Sequence, residues 1–597
     1  MGIRGLETFL HNHPECNRPV NLGELAIRYK REYQKNPMLI WDISSSIIHL
    51  YNKCWVPGGQ LKEFAYALEL FVHKLKAVGI ELTVFIDGPI LKEKLKNIIA
   101  QNNQKMLYIN KVFNALWVNQ EDDRVLQNYQ GFYPYNINKV IIDTLNECEC
   151  KVIQATFQCE LEIAIYAKRN KCFGILAQNT DFIIFNSAKY NFSMKHLDLD
   201  TLSTVAYITE ELADALHVEV NQLPLIATLM GGNIFLSLSE LHPFHQKLFK
   251  ENEKYSRNDT FLKVAGFVKT FEPANNFNNQ LPLLARTALG TSKKAYLLKN
   301  CLNTYQTIFP HEDFAIQYSP DKKWFEVQKT AVNLHRRAKL PPIIFSVIFY
   351  SQYVVHVYPE DPHKKGKHST FGLTRTLRQK LYGIVFNEKP LETRNTQKVK
   401  EIFVDSKGET QRELIKPIYP KMNVDLVKLW TDTEGDLDEI KWDLFCSSLN
   451  IQREILFMEE RHLLIPVASL KFLLMNKFDI STWELEAAVA TMLLLQYYSV
   501  RDLEAIPEFP MDPRGIHLYW SFIRVFVAIA ELNSVCGHPL DSELANPIHY
   551  QDGKLFLHKY RQAKDNKSFD NLCEFRQKEI RSDKHGSHTE NGISPRK

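Results

Sequence analysis

The chain has 597 residues, of which 45% are hydrophobic and 24% are charged. This composition excludes an intrinsically disordered chain, because there is enough apolar surface for a large core, and the length favours two to four domains. The formal net charge of +4 is too small to identify a polyanionic partner by itself. We expect no membrane partner, because the long apolar stretches are too short or too charged to span a bilayer core of roughly 30 Å. The start of the chain lacks the apolar run of a signal peptide, so we expect a nuclear or cytoplasmic protein.

A short apolar run that leads to an acidic residue recurs along the first 190 residues. Residues 38–41 precede Asp42, residues 79–86 precede Asp87, and residues 172–177 lead into a loop that ends at Asp181. A fourth apolar run, residues 151–155, precedes a predicted helix that carries Glu160. Apolar residues at helical spacing between residues 63 and 76 predict an amphipathic helix between the first two runs.

Strands that alternate with helices predict a parallel α/β sheet, in which the carboxyl ends of the strands meet at one edge. We therefore expect Asp42, Asp87, Glu160 and Asp181 to converge there. Such an edge is a common place for metal-dependent phosphate chemistry. Each acid by itself is equally compatible with a helix N-cap or a solvated loop residue.

The pattern changes beyond residue 250. Residues 343–358 are β-branched and aromatic, which predicts a hairpin or a pair of strands. Residues 424–560 have helical periodicity, and residues after 561 become polar, which predicts a disordered tail. The predicted organisation is an α/β domain at residues 1–250, a mixed α+β region with a basic segment at 251–420, a helical region at 421–560 and a tail at 561–597.

The ordered set of motifs in the first 240 residues resembles the PIN-like fold of the flap endonuclease and XPG nucleases. The set consists of Met1-Gly2-Ile3-Arg4-Gly5-Leu6, the acid at Asp42, Phe85-Ile86-Asp87-Gly88, the Glu160 helix, Asn179-Thr180-Asp181 and Gly231-Gly232-Asn233. Two further segments, residues 55–60 (WVPGGQ) and 375–386 (RTLRQKLYGIVF), resemble the constitutive coactivator of PPAR-gamma-like family. That resemblance implies a nuclease fold associated with RNA binding and transcriptional coactivation.

The resemblance also implies which residues correspond to the metal ligands of the active nucleases. Acids are retained at Asp42, Asp87, Glu160 and Asp181, whereas the corresponding positions Gln158, Asn179 and Asn233 carry neutral amides. An amide can ligate a hard cation but adds no charge to offset the dehydration of Mg²⁺. Because the loss of one electrostatic contact commonly costs roughly 10²–10³ in rate, we expect at most one weakly held Mg²⁺ and no useful hydrolysis.

Two stretches of basic residues are candidate contacts for nucleic acid. Lys94 follows Asp87 as a phosphate-steering lysine would, although alternating lysines are also typical of a solvated helix face. Between residues 363 and 400, basic side chains alternate with aromatic ones, as in sites for single-stranded RNA. The candidates there are Lys364, Lys365, Lys367, Arg375, Arg378 and Lys380, and the alternative is an ordinary lysine-rich surface loop.

A candidate protein contact lies in the helical region. Leu470, Leu473 and Leu474 match the LxxLL pattern that nuclear-receptor grooves accept as an amphipathic helix. The same pattern is common in the core of a leucine-rich helical domain. The sequence favours a pseudo-nuclease that acts as an RNA-binding or coactivator scaffold. The alternative is a nuclease dependent on Mg²⁺ or Mn²⁺ that works with the four retained acids.

Overall fold

The structure is a computed structural model that describes residues 2–51, 56, 58–92, 94–118, 133–231, 236, 238–250, 254–271, 279–306, 316–363, 370–454, 460–507, 510–565 and 569–572. Two compact units divide the chain. Unit 1 consists of Met1–Tyr51, Leu68–Ile98 and Thr144–Ser346. Unit 2 consists of Asn52–Ala67, Ile99–Asp143 and Val347–Lys597.

Unit 1 is built on a seven-stranded sheet with the strand order β1-β7-β6-β5-β2-β3-β4. The strands are β1 (Arg18–Asn21), β2 (Met38–Asp42), β3 (Glu81–Ile86), β4 (Lys151–Gln154), β5 (Gly174–Ala177), β6 (Tyr190–Ser193) and β7 (Ser203–Tyr207). Strands β6, β5, β2, β3 and β4 are parallel, and β7 and β1 add antiparallel pairs at one side. The predicted fold class, a mostly parallel α/β sheet flanked by helices, is confirmed.

The central strands are apolar along their length because both faces of a parallel sheet are covered by helices. Strand β5 is fully buried, and β2 and β3 each expose only their first residue to any extent. The helices of unit 1 are Leu6–Asn12, Leu22–Tyr33, Ile43–Leu50, Cys159–Asn170, Asp181–Phe185, Thr209–Leu216, Leu223–Met230, Leu238–Lys247, Arg257–Lys269, Leu281–Leu289, Ala295–Gln306 and Lys322–Arg336. Helices between residues 223 and 306 share one hydrophobic core with the sheet.

Unit 2 has a small sheet and a larger set of helices. Strand β8 (Gln352–Val354) is parallel to β9 (Val399–Val404), which is antiparallel to β10 (Thr410–Ile415). Its helices are Thr370–Leu373, Arg375–Val385, Leu391–Thr396, Leu426–Thr431, Asp438–Leu449, Leu464–Met475, Thr482–Leu495, Val500–Ala505, Pro513–Val535, Gly553–Lys564 and Phe569–Leu572. Unit boundaries fall within Leu61–Ala77, Leu95–Trp117, Ile137–Glu147 and Pro342–Tyr350.

The predicted hairpin at residues 343–358 is wrong. The run begins as the helix Pro342–Tyr350, and only Gln352–Val354 forms a strand. The helix is apolar on nearly every side, with Ile344 and Phe345 fully buried, so its sequence has no polar face that would reveal a helical period. Proline at its first position is typical of a helix start.

The helical periodicity beyond residue 424 is confirmed by the helices between Leu426 and Lys564. One of them, Pro513–Val535, has the length and composition of a membrane span, but 89% of its most apolar window is buried inside the protein. It is therefore a core helix of unit 2.

Candidate functional site

Four strand ends of unit 1 bring the predicted acids to one edge of the sheet. Asp42 ends β2, Asp87 directly follows β3, and Asp181 begins the helix after β5. Glu160 is the second residue of the helix Cys159–Asn170, which follows β4. Because β5, β2, β3 and β4 are neighbouring parallel strands, the four carboxylates interact electrostatically.

Three consecutive serines hold these strand ends together. The Ser44 hydroxyl accepts a hydrogen bond from the backbone N–H of Asp87 at 2.8 Å, and the Ser45 hydroxyl accepts one from the N–H of Gln178 at 3.1 Å. Ser46 accepts from the Trp41 indole at 3.1 Å. The carboxyl ends of β2, β3 and β5 are thus cross-linked through side chains of one helical turn. The sequence pattern alone did not single out these serines.

Glycine after Asp87 is required by the neighbouring strand. A Cβ atom at Gly88 would lie 1.7 Å from the carbonyl oxygen of Ala155, which is closer than any side chain allows. The same carbonyl accepts a hydrogen bond from His335 Nε2 at 2.9 Å. The Asp-Gly pair therefore keeps the end of β3 close to the chain that follows β4.

Burial and mutual repulsion raise the proton affinity of these acids. Desolvation first, and then the charges of Asp87 and Glu160, raise the pKa of Asp42 to about 7. Desolvation and Glu160 raise the pKa of Asp181 to about 6. Desolvation and Glu160 also raise the pKa of Asp87, although that residue is exposed at the mouth of the cluster. The cluster thus holds protons close to neutral pH.

Lys94 supplies the cation at the centre of the cluster. Its ammonium lies 3.0 Å from each carboxylate oxygen of Glu160, and the charges of Glu160 and Asp87 raise the pKa of Lys94 against the opposing effect of desolvation. The predicted phosphate-steering lysine is therefore inside the acidic site, paired with one of its acids.

Two side chains from later in the chain pair with acids of this edge. The Tyr305 hydroxyl donates a hydrogen bond to Asp181 Oδ1 at 3.0 Å. Arg336 forms an ion pair with Glu162 at 2.6 Å, and the other oxygen of Glu162 accepts from the N–H groups of Thr156 and Phe157. Sequence analysis missed these partners because they lie more than 120 residues from the acids.

The structure describes two of the three amide positions, Asn179 and Gln158. Asn179 is buried, and its Oδ1 accepts a hydrogen bond from the N–H of Asp181 at 3.1 Å. Gln158 is the N-cap residue of its helix but makes no capping hydrogen bond with its side chain. Asn233 lies outside the described residues. The buried amide of Asn179 therefore shapes the loop before Asp181.

Some carboxylate oxygens of this edge are already paired with other side chains, so a divalent cation would have to displace those partners. Among the described residues, no group of three or more His, Cys, Asp or Glu side chains is spaced to hold a metal ion. Both oxygens of Glu160 face Lys94, and one oxygen of Asp181 faces Tyr305. Mg²⁺ is usually held by one or two carboxylates and completes its octahedral coordination with water at about 2.0–2.1 Å, so its binding here would compete with the contacts of Lys94 and Tyr305.

The three predicted basic contacts of unit 2 that the structure describes, Arg375, Arg378 and Lys380, each make contacts within the protein. Arg378 is buried and forms a bidentate pair with Glu401, at 2.7 and 3.0 Å, while its third nitrogen donates to Thr374. Lys380 donates to the carbonyl of Ser448 at 2.7 Å, near the end of the helix Asp438–Leu449. Four of the five N–H groups of Arg378 are therefore used within the protein, and in this conformation its side chain is buried away from any polyanion.

The other predicted contacts of this region differ in exposure. Arg375 is partly exposed and forms an ion pair with Glu413. Lys364, Lys365 and Lys367 lie outside the described residues.

The LxxLL segment lies in the helix Leu464–Met475 with its leucines turned largely inward. Leu470 and Leu473 are buried, at 7% and 1% exposure, and only Leu474 is exposed, at 48%. A receptor groove needs all three leucines on one accessible face. In this conformation the motif is part of the core, and its assignment as a docking helix is not supported.

This chain is similar in sequence to several known proteins. Residues 216–308 match the model of the FAM120A-like domain. The chain is 24% identical to the bovine constitutive coactivator of peroxisome proliferator-activated receptor gamma, over 94% of this chain and 91% of that protein. The mouse protein of the same name is 31% identical over 39% of this chain, a match that spans 30% of the mouse protein. The predicted resemblance to this family is confirmed.

Among solved structures, this chain is similar to human GEN1 in complex with Holliday junction DNA. The similarity covers 75% of this chain and 95% of the GEN1 chain. The identity is 13% and the TM-score is 0.30.

Proposed function

We propose that this chain is a non-catalytic scaffold of the coactivator type, in which a nuclease-type acidic site has become an internally paired cluster. The observation that carries the proposal is the position of Lys94, whose ammonium is 3.0 Å from both oxygens of Glu160. An ammonium there supplies the positive charge that a divalent cation would otherwise supply.

Two electrostatic arguments support the loss of catalysis. Metal-assisted phosphate hydrolysis needs cations that stabilise both the attacking and the leaving oxygens. With the pKa of Asp42 raised to about 7 by burial and by the charges of Asp87 and Glu160, the cluster carries less negative charge at neutral pH than its four acids suggest. Less negative charge offsets less of the dehydration cost of Mg²⁺.

Cleavage assays test this proposal directly. The full chain would be incubated with flap, hairpin and single-stranded substrates in Mg²⁺ and in Mn²⁺, together with Asp87→Ala and the surface control Asp200→Ala. We expect no cleavage above that of buffer for any of the three proteins. Cleavage by the unmodified chain that Asp87→Ala abolishes and Asp200→Ala preserves would establish the alternative, a metal-dependent nuclease.

RNA is a candidate partner of this chain. The basic segment before the helix Arg375–Val385 favours this proposal. Lys364, Lys365 and Lys367 precede Arg375, which is partly exposed and lies against the ring of Phe371 at 5.5 Å. Basic and aromatic side chains together suit single-stranded RNA. Arg378 and Lys380 are not part of this proposal because both serve internal contacts.

The RNA proposal predicts salt-dependent binding. Replacing Lys364, Lys365 and Lys367 by Gln should weaken binding of single-stranded RNA and flatten its dependence on salt, because fewer counterions are released. The charge-matched control replaces the exposed residues Lys168, Arg169 and Lys171 by Gln and should leave both unchanged. Equal effects of the two triple variants would show that only net charge matters.

A nuclear-receptor partner is suggested by the names of the bovine and mouse relatives. Because Leu470 and Leu473 of the LxxLL segment are buried, we expect a protein partner to bind another surface. A coactivator role also fits the expected nuclear or cytoplasmic location.

A further inference from the structure

Arg524 is a buried arginine whose Nε–H has no hydrogen-bond acceptor among the described residues. It lies in the helix Pro513–Val535 with 8% of its surface exposed, and its Nε atom has no hydrogen-bond partner. Among the described residues, no carboxylate forms an ion pair with it. Its guanidinium carbon lies 4.6 Å from the centre of the Tyr358 ring. A buried charge without a counter-charge is strongly unfavourable.

Two other buried or half-buried arginines of unit 2 have a carboxylate partner. Arg378 pairs with Glu401 through two hydrogen bonds. Arg514 pairs in the same way with Glu484. Arg524 therefore differs from Arg378 and Arg514, each of which has a counter-charge.

The ring of Tyr358, which contacts the Arg524 guanidinium, belongs to a cluster of aromatic rings. Tyr135 stacks on His356 with ring centroids 3.5 Å apart, and Tyr353 lies 6.3 Å from His356. Tyr358 lies 6.4 Å from Tyr135. Tyr135 and His356 are partly exposed, so this aromatic cluster reaches the surface.

The cluster has an excess of positive charge. Lys105 and Arg524 both act on His356, whose pKa is lowered to about 3 by desolvation first and then by those two cations. The nearby acid, Glu531, receives a hydrogen bond from Tyr135 at 3.4 Å. Burial raises the pKa of Glu531 to about 8, so at neutral pH it is largely protonated and does not neutralise the cluster.

We propose that the aromatic cluster around Arg524 is a binding site for a small molecule that carries a phosphate group on a flat ring system, of the nucleoside monophosphate class. The guanidinium fork matches phosphate oxygens, and Lys105 adds a second cation for a dianion. The rings of Tyr135 and His356 provide flat faces for stacking. This site is separate from the acidic cluster of unit 1 and does not depend on the proposed scaffold role.

Calorimetric titration of the full chain tests the proposal. The probes are adenosine monophosphate, uridine monophosphate and inorganic phosphate, and the variants are Arg524→Met and the exposed control Arg501→Met. We expect saturable nucleotide binding that weakens by about tenfold or more in Arg524→Met, because a hydrogen bond to a charged group is lost, and that is unchanged in Arg501→Met. Inorganic phosphate should bind more weakly than the nucleotides, because it lacks a ring to stack.

Thermal unfolding separates loss of binding from loss of folding. In phosphate-free buffer, Arg524→Met should unfold at the same temperature as the unmodified chain or at a higher one, because an uncompensated charge has been removed. Nucleotide should raise the midpoint of the unmodified chain and not that of the variant. If Arg524→Met does not fold, Arg524→Lys makes the same test with the charge retained and should also bind about tenfold more weakly.

Three results would overturn the proposal. The first is no binding of any probe at millimolar concentration. The second is equal nucleotide affinity for the unmodified chain and for the folded Arg524 variant. The third is inorganic phosphate binding as tightly as the nucleotides, which would remove the aromatic part of the site.

Discussion

Lys94 donates hydrogen bonds to both carboxylate oxygens of Glu160, each at 3.0 Å. The lysine precedes the helix Leu95–Trp117, and the glutamate lies in the first turn of the helix Cys159–Asn170. The pair places a permanent positive charge among Asp42, Asp87 and Asp181, so the site is compensated from within.

The first prediction concerns the energy of this pair. In a double-mutant cycle with Lys94→Met and Glu160→Gln, we expect a coupling of about 1.5 kcal/mol or more, as for hydrogen bonds to charged groups. The reference cycle uses the exposed pair Lys195–Glu7, whose side chains are about half exposed, and should give about 0.2–1 kcal/mol. Urea denaturation measures both, and equal couplings would show that Lys94 and Glu160 behave as a surface pair.

Asp42→Asn should make the protein more stable at alkaline pH. Burial raises the pKa of Asp42 from its ordinary 3.8 to about 7, so between these values the folded state binds more protons than the unfolded state. This contribution to the free energy of unfolding is present below about pH 4 and is lost as the pH rises through 7. Asparagine keeps the N-cap function and carries no charge.

A pKa shift corresponds to about 1.4 kcal/mol per unit, and relaxation of the folded protein around the charged Asp42 reduces the observed effect. We therefore expect Asp42→Asn to raise the free energy of unfolding by about 2 kcal/mol at pH 8 and to change it little at pH 4. Denaturation at both pH values provides the measurement. The control is Asp425→Asn, an exposed N-cap aspartate, whose effect should not rise with pH in this way. A loss of stability at pH 8 that requires added Mg²⁺ would instead indicate that Asp42 binds metal.

Arg378→Met should be severely destabilising. The substitution removes the counter-charge of the Glu401 carboxylate. This carboxylate is fully buried and also accepts a hydrogen bond from the Tyr382 hydroxyl at 2.7 Å. Breaking a buried pair by removing one partner costs about 3–5 kcal/mol, whereas replacing both partners by apolar residues costs far less. Chemical denaturation of Arg378→Met and of the double variant Arg378→Met with Glu401→Met tests this difference. A single variant that folds normally but loses RNA affinity would restore Arg378 as a contact.

The two neighbouring leucines of the LxxLL segment should behave differently. Leu473→Ala removes a buried side chain and should cost about 2–5 kcal/mol, whereas Leu474→Ala, at an exposed position, should cost about 0.5 kcal/mol or less. Denaturation curves provide the stability measurement, and binding to a receptor ligand-binding domain provides the functional one. A folded Leu473→Ala variant that selectively loses receptor binding would show that the motif opens to dock.

Much of the acidic site was predictable because its residues follow a local rule. A buried parallel strand is a continuous apolar run, and the residue after it lies at the carboxyl edge of the sheet. Asp42, Asp87 and Asp181 could therefore be placed without coordinates. The hydrogen bonds of Ser44 and Ser45 could not, because a serine after a strand is equally typical of an ordinary helix start.

The resemblance to the flap endonuclease and XPG nucleases implied that amides stand at three positions where acids are expected. The sequence by itself determined the α/β class and the edge at which the acids meet. These features depend on periodicities of two to four residues and on residue type. Only the tertiary structure decided that Lys94 pairs with Glu160, that Tyr305 and Arg336 reach the acids, and that Arg378, Leu470 and Leu473 lie inside. Those outcomes depend on contacts between residues dozens to hundreds of positions apart. The same pattern of lysines, arginines or leucines occurs both on surfaces and in cores, and only tertiary packing determines which applies.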